Sequence, residues 1–138
     1  PVLDLFYSLY ISALRMMIFP LVFCSIVMGI MGIGSVGKTE EECKAKGIEY
    51  EVAKLPMVYS GRFVAENEGA DGLCKVIVDK KKRNVLGVHL IGAYSGEIIW
   101  GAAEMIEMQL RVNDARQIIF PHPTVSEIIR ETLWEFSD

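Results

Sequence analysis

The chain has 138 residues, which is the length of one domain and too short for an enzyme with several nucleotide-binding domains. Its net charge of -4 and its scattered Lys and Arg residues provide no basic surface for the phosphates of a nucleic acid. Cys24, Cys43 and Cys74 lie far apart without a CxxC spacing. We therefore expect no metal site and no local redox disulfide, but reduced thiols in a cytoplasmic protein.

The N-terminal part of the chain is an uncharged hydrophobic run. No charged residue lies between Arg15 and Lys38, and a run of this length can cross a bilayer as a helix. A proline and several glycines weaken a continuous helix, and the alternation at Ile26–Ile30 also fits a buried strand. The hydrophobic run is therefore compatible with either a helix or a strand. We divide the chain into a membrane-like segment, residues 1–32, and a second domain, residues 33–138.

The string LFYSLYISALRMMIFPLVFCSIVMGI at Leu5–Ile30 resembles an early membrane helix of the sodium:dicarboxylate symporter family. The hairpins and discontinuous helices that hold substrate in that family are missing, so the resemblance implies no transport site on any residue. It does imply an alternative function for the chain. In that alternative, residues 5–34 insert into a membrane and the protein is a membrane-anchored or transporter-derived interaction protein without catalysis.

After the hydrophobic run the pattern becomes that of a soluble domain. Thr39 and Glu42 have the spacing of a capping box, which predicts a short helix to about Lys46. Gly47 is expected to end this helix. At Ile48–Val52 apolar and acidic residues then alternate with the period of a half-buried strand.

Two further strands and two helices follow. Leu73–Val78 and Val85–Ile91 are predicted strands joined by the charged hairpin turn Asp79–Asn84. One helix is expected from a Ser95 cap to about Leu110, and another that starts after a Thr124 cap and continues to about Phe136. Their apolar faces comprise Ile98, Ala102, Met105, Ile106 and Met108 in the first helix, and Ile128, Ile129, Leu133 and Trp134 in the second. The predicted fold is α+β, an antiparallel sheet with helices packed on one face.

The segment GIGSVGKT at Gly32–Thr39 matches the phosphate-loop pattern GxxxxGK[ST]. In a nucleotide-binding protein Lys38 would reach the outer phosphates and Thr39 would hold magnesium. The three acidic residues Glu40–Glu42 follow directly and would repel a triphosphate. Nucleotide binding at residues 32–39 is therefore a second, weaker alternative.

FPHPTVSE at Phe120–Glu127 is the string most informative about chemistry. Two prolines flank His122, and the following helix would let the Glu127 carboxylate fold back to the imidazole. A carboxylate that accepts from one ring nitrogen leaves the other as an acceptor, which makes a general acid-base pair. The spacing alone fits a simpler role better, in which Glu127 only completes a capping box with Thr124 and His122 is an ordinary loop residue.

Several motifs in one order resemble the dimerisation (interface) domain of dihydrolipoyl dehydrogenase, in the pyridine nucleotide-disulfide oxidoreductase family. They are KTEEECKAKGIEYEV, SGRFVAENE, GLCKVIVD, GVHLIG and HPTVSE, and the resemblance extends over residues 33–138. It implies that His122 is a catalytic residue, which exchanges a proton with dihydrolipoamide thiols at the partner subunit's redox disulfide, and that Glu127 orients it. It also implies a cis peptide bond before Pro123.

The resemblance further implies a homodimer whose complete form binds FAD and NAD and acts on dihydrolipoamide or a lipoyl-bearing protein. This chain alone is expected to bind neither cofactor, because the membrane-like segment stands where the family has its flavin and nicotinamide domains. Met31 and Gly32 replace the Pro-Glu pair of the family, and Phe120 stands where many members have another histidine. The chain therefore resembles a chimera.

Two smaller expectations concern His89 and the dimer surface. His89 should be a half-exposed strand residue, because no carboxylate partner is near it in sequence. The dimer should form through the two C-terminal helices, since their apolar faces exceed what one small sheet can cover.

Overall fold

The computed structural model describes residues 2–137, and all of their side chains except those of residues 28–31. The chain divides into two compact units, Pro1–Ile30 and Met31–Asp138. Because each unit is held by its own internal contacts, we describe each by itself.

The first unit consists of one helix, α1, which extends over Val2–Met31 and includes Pro20. Of the two conformations open for Ile26–Ile30, the helix is the one adopted. A proline removes one backbone hydrogen bond but does not end a helix whose neighbouring turns keep theirs. The segment Val2–Val27 is long and apolar enough to cross a membrane.

The second unit is a four-stranded antiparallel sheet with the strand order β1-β4-β3-β2. Its elements, in chain order, are β1 (Ile33–Gly37), α2 (Glu40–Ala45), β2 (Tyr50–Pro56), a 3-10 turn (Met57–Tyr59), α3 (Gly61–Glu66), β3 (Leu73–Asp79), β4 (Val85–Ile91), α4 (Ser95–Glu107), α5 (Val112–Arg116) and α6 (Glu127–Trp134). The α+β prediction is confirmed, whereas β1, α3 and α5 were not predicted.

The two faces of the sheet are covered differently. On one face the alternate residues Val76 and Val78 of β3 are fully buried in the main core, which also contains residues of α4, α5 and α6. Ile77 points to the other face and packs with Cys43 of α2 and with Leu86. The period of two in β3 therefore builds both cores, and all helices of the second unit except the short α2 contribute to the main one.

The helix α2 forms as its capping residues predict. The Thr39 hydroxyl accepts from the backbone N–H of Glu42 at 3.2 Å, and the Glu42 carboxylate accepts from the backbone N–H of Thr39 at 2.8 Å. Gly47 follows with a φ of 65°, a conformation that glycine adopts without steric cost. The capping box and the position of the helix end are both confirmed.

The start of α4 differs from the prediction. Its N-cap is Tyr94, with a φ of 67°, and Ser95 is the first helical residue. The Ser95 hydroxyl donates backward to the carbonyl of Gly92 at 2.7 Å and so stabilises the turn before the helix. At the other end Met108 lies beyond the helix and is 72% exposed, so it does not belong to the buried apolar face.

The helix α6 begins at Glu127, with Ser126 as N-cap, two residues later than predicted. Ile128 and Leu133 are fully buried against the sheet, but Trp134 is mostly exposed. The Arg116 guanidinium lies 4.9 Å from the centre of the Trp134 ring and its Nε donates to the carbonyl of Leu133 at 3.0 Å. The side chain of Arg116 thus caps the end of α6 and lies against the face of the indole.

The segment Gly32–Thr39 is not a phosphate-binding loop. Ile33–Gly37 is an edge strand paired in register with β4, so its backbone N–H groups cannot converge on a phosphate. A Cβ on Gly34 would lie 2.5 Å from the carbonyl oxygen of Ser95. The glycines of the motif serve close packing of strand and helix, and the nucleotide-binding alternative is wrong.

Gly37 provides a test of this structural role, because its φ is 76° and a Cβ there would lie 2.3 Å from the carbonyl oxygen of Leu86. We expect Gly37→Ala to lower the free energy of unfolding of the second unit by about 1–3 kcal/mol, measured in urea. Gly61→Ala is the matched control, since nothing lies within 4 Å of its Cβ position. It should be neutral or stabilise by about 0.4–1 kcal/mol. Equal effects of the two changes would contradict the packing role.

Candidate acid-base site

The candidate site lies on the loop between α5 and α6. His122 stands between Pro121 and Pro123, and the peptide bond from His122 to Pro123 is cis, as the resemblance implied. The Thr124 hydroxyl donates to the carbonyl of Pro121 at 2.6 Å, which closes the loop on itself. The loop therefore holds a fixed backbone at the histidine.

His122 and Glu127 form a pair. Nδ1 of His122 lies 2.8 Å from Oε1 of Glu127. The histidine side chain is 78% exposed, whereas that of the glutamate is 8% exposed. Nε2 of His122 makes no hydrogen bond to any residue in the described range 2–137. A buried carboxylate thus holds the inner ring nitrogen and leaves the outer one facing solvent.

Glu127 also binds the loop backbone. Its second oxygen, Oε2, accepts from the backbone N–H of Thr124 at 3.0 Å. Half of the expected capping box is therefore present, although Thr124 is not the N-cap and its hydroxyl points elsewhere. The capping role and the pairing with His122 are not alternatives, because each uses a different carboxylate oxygen.

The charge of Glu127 determines which ring nitrogen of His122 carries the proton. Burial raises the pKa of Glu127, but the Thr124 N–H, His122 and Arg130 together outweigh it and leave this pKa below its usual value. Glu127 is therefore ionised at neutral pH and can only accept hydrogen bonds. Nδ1 of His122 must then donate, and Nε2 has the free lone pair of a general base.

A residue that we did not predict positions this loop. Ser60, the N-cap of α3, is almost fully buried, and its hydroxyl donates to the carbonyl of Thr124 at 3.1 Å. The same oxygen accepts from the backbone N–H of Phe63 at 3.3 Å. The capping position before a glycine was a visible signal for α3, but the 64-residue separation of Ser60 and Thr124 made their contact unpredictable from sequence.

An apolar groove of about 440 Å³ adjoins the same loop. Its walls are α4 on one side and the segment 118–121 on the other, with Trp100, Met108 and Ile119 as its most exposed apolar side chains. Ile119 is 90% exposed. The exposed apolar surface of the groove thus includes residues that directly precede His122 in the sequence. Of the three α6 residues expected to contribute to a dimer surface, Ile128 and Leu133 are buried and Trp134 is exposed.

The other candidate groups lie elsewhere. His89 is half-buried, as predicted, with Nδ1 2.7 Å from the Ser35 hydroxyl and Nε2 3.1 Å from the carbonyl of Lys38. Burial raises the pKa of the Cys74 thiol to about 12, and it also raises the pKa of Cys43. Neither thiol can act as a thiolate near neutral pH.

Comparison with known proteins identifies the domain. The family model described as the dimerisation domain of the pyridine nucleotide-disulphide oxidoreductases matches residues 24–133. Dihydrolipoyl dehydrogenase of Pisum sativum is 39% identical over 99 residues, which are 72% of this chain and 20% of that protein. The enzyme of Haemophilus influenzae is 43% identical over 94 residues, 68% of this chain and 20% of that protein. The chain spans about a fifth of the length of these relatives.

Solved structures agree on the fold. The HOCl-induced flavoprotein disulfide reductase RclA from Escherichia coli superposes with a TM-score of 0.70 at 28% identity. The match covers 76% of this chain and 24% of RclA. The resemblance of Leu5–Ile30 to symporter helices stays a prediction. The chain belongs to the dimerisation-domain family of the pyridine nucleotide-disulphide oxidoreductases.

Proposed function

We propose that residues 33–138 act as the interface domain of a flavin-dependent dihydrolipoyl dehydrogenase. In this function the domain pairs with a second copy and supplies His122 and Glu127 to the dithiol-disulfide site of the partner subunit. The observation that carries the proposal is the geometry of the pair, in which a buried, ionised carboxylate binds Nδ1 and an exposed Nε2 faces outward. An imidazole that serves only to pack has no need of this arrangement.

The proposed chemistry is a proton transfer. Nε2 of His122 takes the proton from a thiol of dihydrolipoamide, and the resulting thiolate attacks one sulfur of the partner's redox disulfide. A mixed disulfide forms, the original S–S bond breaks, and the other cysteine leaves as a thiolate. The imidazolium formed is stabilised by Glu127, whose negative charge is 2.8 Å away. In the reverse reaction the imidazolium returns the proton to the substrate thiolate. Glu127 is a positioning residue here, since it touches the imidazole and not the substrate.

The proposed dimer uses the apolar groove beside the histidine loop. Trp100 and Ile119 are 64% and 90% exposed in the single chain, and such contiguous apolar surface marks an association site. A second copy is the proposed occupant, because the domain family is a dimerisation family. In a two-fold dimer the same surface serves both chains, and each His122 would lie at the edge of that surface.

FAD and NAD belong to the complete enzyme in this proposal and supply its electron transfer. The segment Gly32–Thr39 offers their phosphates no binding loop, since its strand is paired with β4. Both cofactors would bind to the flavin and nicotinamide domains of that enzyme.

The proposal is tested by subunit complementation. Residues 33–138 are grafted onto the flavin and nicotinamide domains of an ordinary dihydrolipoyl dehydrogenase, and two inactive variants are made. One carries His122→Gln, and the other lacks the redox cysteines of the host domains. If the histidine acts on the partner subunit, refolding the two variants together should restore turnover, because the mixed dimer has one complete site.

Equal flavin content in both variants is the control for correct folding. Turnover that stays absent in isolated mixed dimers, although the unmutated graft is active, would show that His122 acts within its own subunit or not at all.

A further inference from the structure

The first unit has a property that the proposed function does not use. The described side chains of α1, those of residues 2–27, are exposed on all sides rather than on one face. Met16, Met17, Ile18 and Phe19 are consecutive and each is 48–78% exposed. Because successive helical residues are rotated by about 100°, these four side chains surround the axis. An amphipathic helix that packs on a protein or lies on a membrane surface would have a polar side.

The length of α1 fits a bilayer. Its uncharged part, Met16–Met31, rises about 24 Å at 1.5 Å per residue. The aliphatic stem of Arg15 lengthens the apolar segment toward one surface, where its charged end can reach the head groups. Tyr7 and Tyr10 lie beyond Arg15, and tyrosine is enriched at such interfaces. The hydrocarbon core is about 30 Å thick, which this arrangement matches with little mismatch.

Two hydroxyl groups of α1, those of Ser8 and Ser25, are satisfied within the helix. The Ser25 hydroxyl donates to the carbonyl of Leu21 at 2.8 Å, and the Ser8 hydroxyl donates to the carbonyl of Leu5 at 3.0 Å. Pro20 is accommodated within the continuous helix. In hydrocarbon no water can satisfy a backbone or hydroxyl group, so internal bonding of this kind is what a membrane span requires.

We propose that α1 crosses a lipid bilayer and anchors the dimerisation domain to a membrane. The occupant around α1 is thus the hydrocarbon core and not a protein groove. Only Gly32 separates the end of α1 from the start of β1 in the sequence.

The chain contains its own probe for this proposal. Cys24 is exposed on α1, whereas Cys43 and Cys74 are buried in the second unit. The full chain is added to preformed phosphatidylcholine vesicles, floated on a density gradient and treated with a membrane-impermeant maleimide. We expect the chain to float with the vesicles and no thiol to react. After denaturation in SDS all three thiols should react. A Glu68→Cys variant, with its new thiol on the second unit, should react in intact vesicles and shows that the reagent has access.

Two double substitutions distinguish insertion of α1 into the bilayer from a general effect of added charge on solubility. Val22→Lys with Ile26→Lys places two charges inside the span and should abolish flotation and expose Cys24. Val58→Lys with Val64→Lys is the matched control, because these valines are similarly exposed but lie on the second unit. The control should float like the unchanged protein.

A thiol at the far end of α1 distinguishes crossing from lying on the surface. Leu3→Cys in a Cys24→Ser background should react only after the vesicles are permeabilised, because the folded second unit stays outside. Reaction of Leu3→Cys from outside, or of Cys24 in floated vesicles, would overturn the proposal. So would a defined lipid-free oligomer that protects Cys24, since copies of the chain would then cover α1.

Discussion

Replacing His122 by Gln in the grafted enzyme should slow dihydrolipoamide oxidation by about a hundredfold or more, because a positioned general base contributes a factor of this order. Gln can keep a hydrogen bond to Glu127 but cannot take up a proton at neutral pH. The loss should therefore fall on the chemical step, measured as kcat in steady-state assays and as the rate of flavin reduction by dihydrolipoamide in a single turnover.

His89→Gln is the matched control for this variant. Both ring nitrogens of His89 are already within hydrogen-bond distance of residues of its own domain, so the change should leave kcat within about twofold of the unmutated graft. Equal losses of kcat in His122→Gln and His89→Gln would show that the effect comes from impaired folding. Glu127 would then have only its role in capping the loop backbone.

Glu127→Gln should cost less than His122→Gln. The single oxygen of the Gln amide can replace only one of the two carboxylate oxygens, so it can accept from Nδ1 of His122 or from the N–H of Thr124 but not from both. The amide also carries no charge to stabilise the imidazolium. Glu131→Gln, one turn later on the same helix and paired with Arg130, is its control and should leave kcat unchanged. A larger loss in Glu127→Gln than in His122→Gln would contradict the assignment of base and positioning residue.

The second large effect is expected at the dimer surface. Ile119→Asp should weaken self-association of the Met31–Asp138 unit by about 30-fold or more, the equivalent of a hot-spot loss of about 2 kcal/mol. The reason is that an unpaired carboxylate at an apolar contact loses its hydration when the second copy binds. The dissociation constant is measured by sedimentation over a dilution series.

Because Ile119 is 90% exposed in the single chain, the substitution should not lower the stability of the monomer, which urea unfolding verifies. Val64→Asp is the control, since Val64 is also exposed but does not line the groove. It should leave the dissociation constant unchanged. An unmutated unit that stays monomeric at high concentration, or equal weakening by both variants, would contradict the proposed dimer surface.

The sequence by itself determined the elements whose signals are local. The Thr39–Glu42 capping box, the strand Leu73–Val78 and the turn that follows it each depend on neighbours within a few residues, and all three form as predicted. The pairing of His122 with Glu127 was also within reach of sequence, because only five residues separate them. Spacing alone favoured the capping role of Glu127, and the family resemblance was what favoured the acid-base pair instead.

The tertiary structure decided what depends on distant contacts. The motif GIGSVGKT has the spacing of a phosphate loop, and only its pairing with β4, more than fifty residues away, makes it a strand. The apolar residues of α6 fit a dimer surface by pattern, yet Ile128 and Leu133 are buried by their own sheet while Ile119 is left exposed. Ser60 binds the loop of His122 although it lies 64 positions before Thr124 in the sequence. In each case the local sequence determines which side chains a segment presents. The packing of the whole domain determines which residues they contact, and residue spacing does not encode that packing.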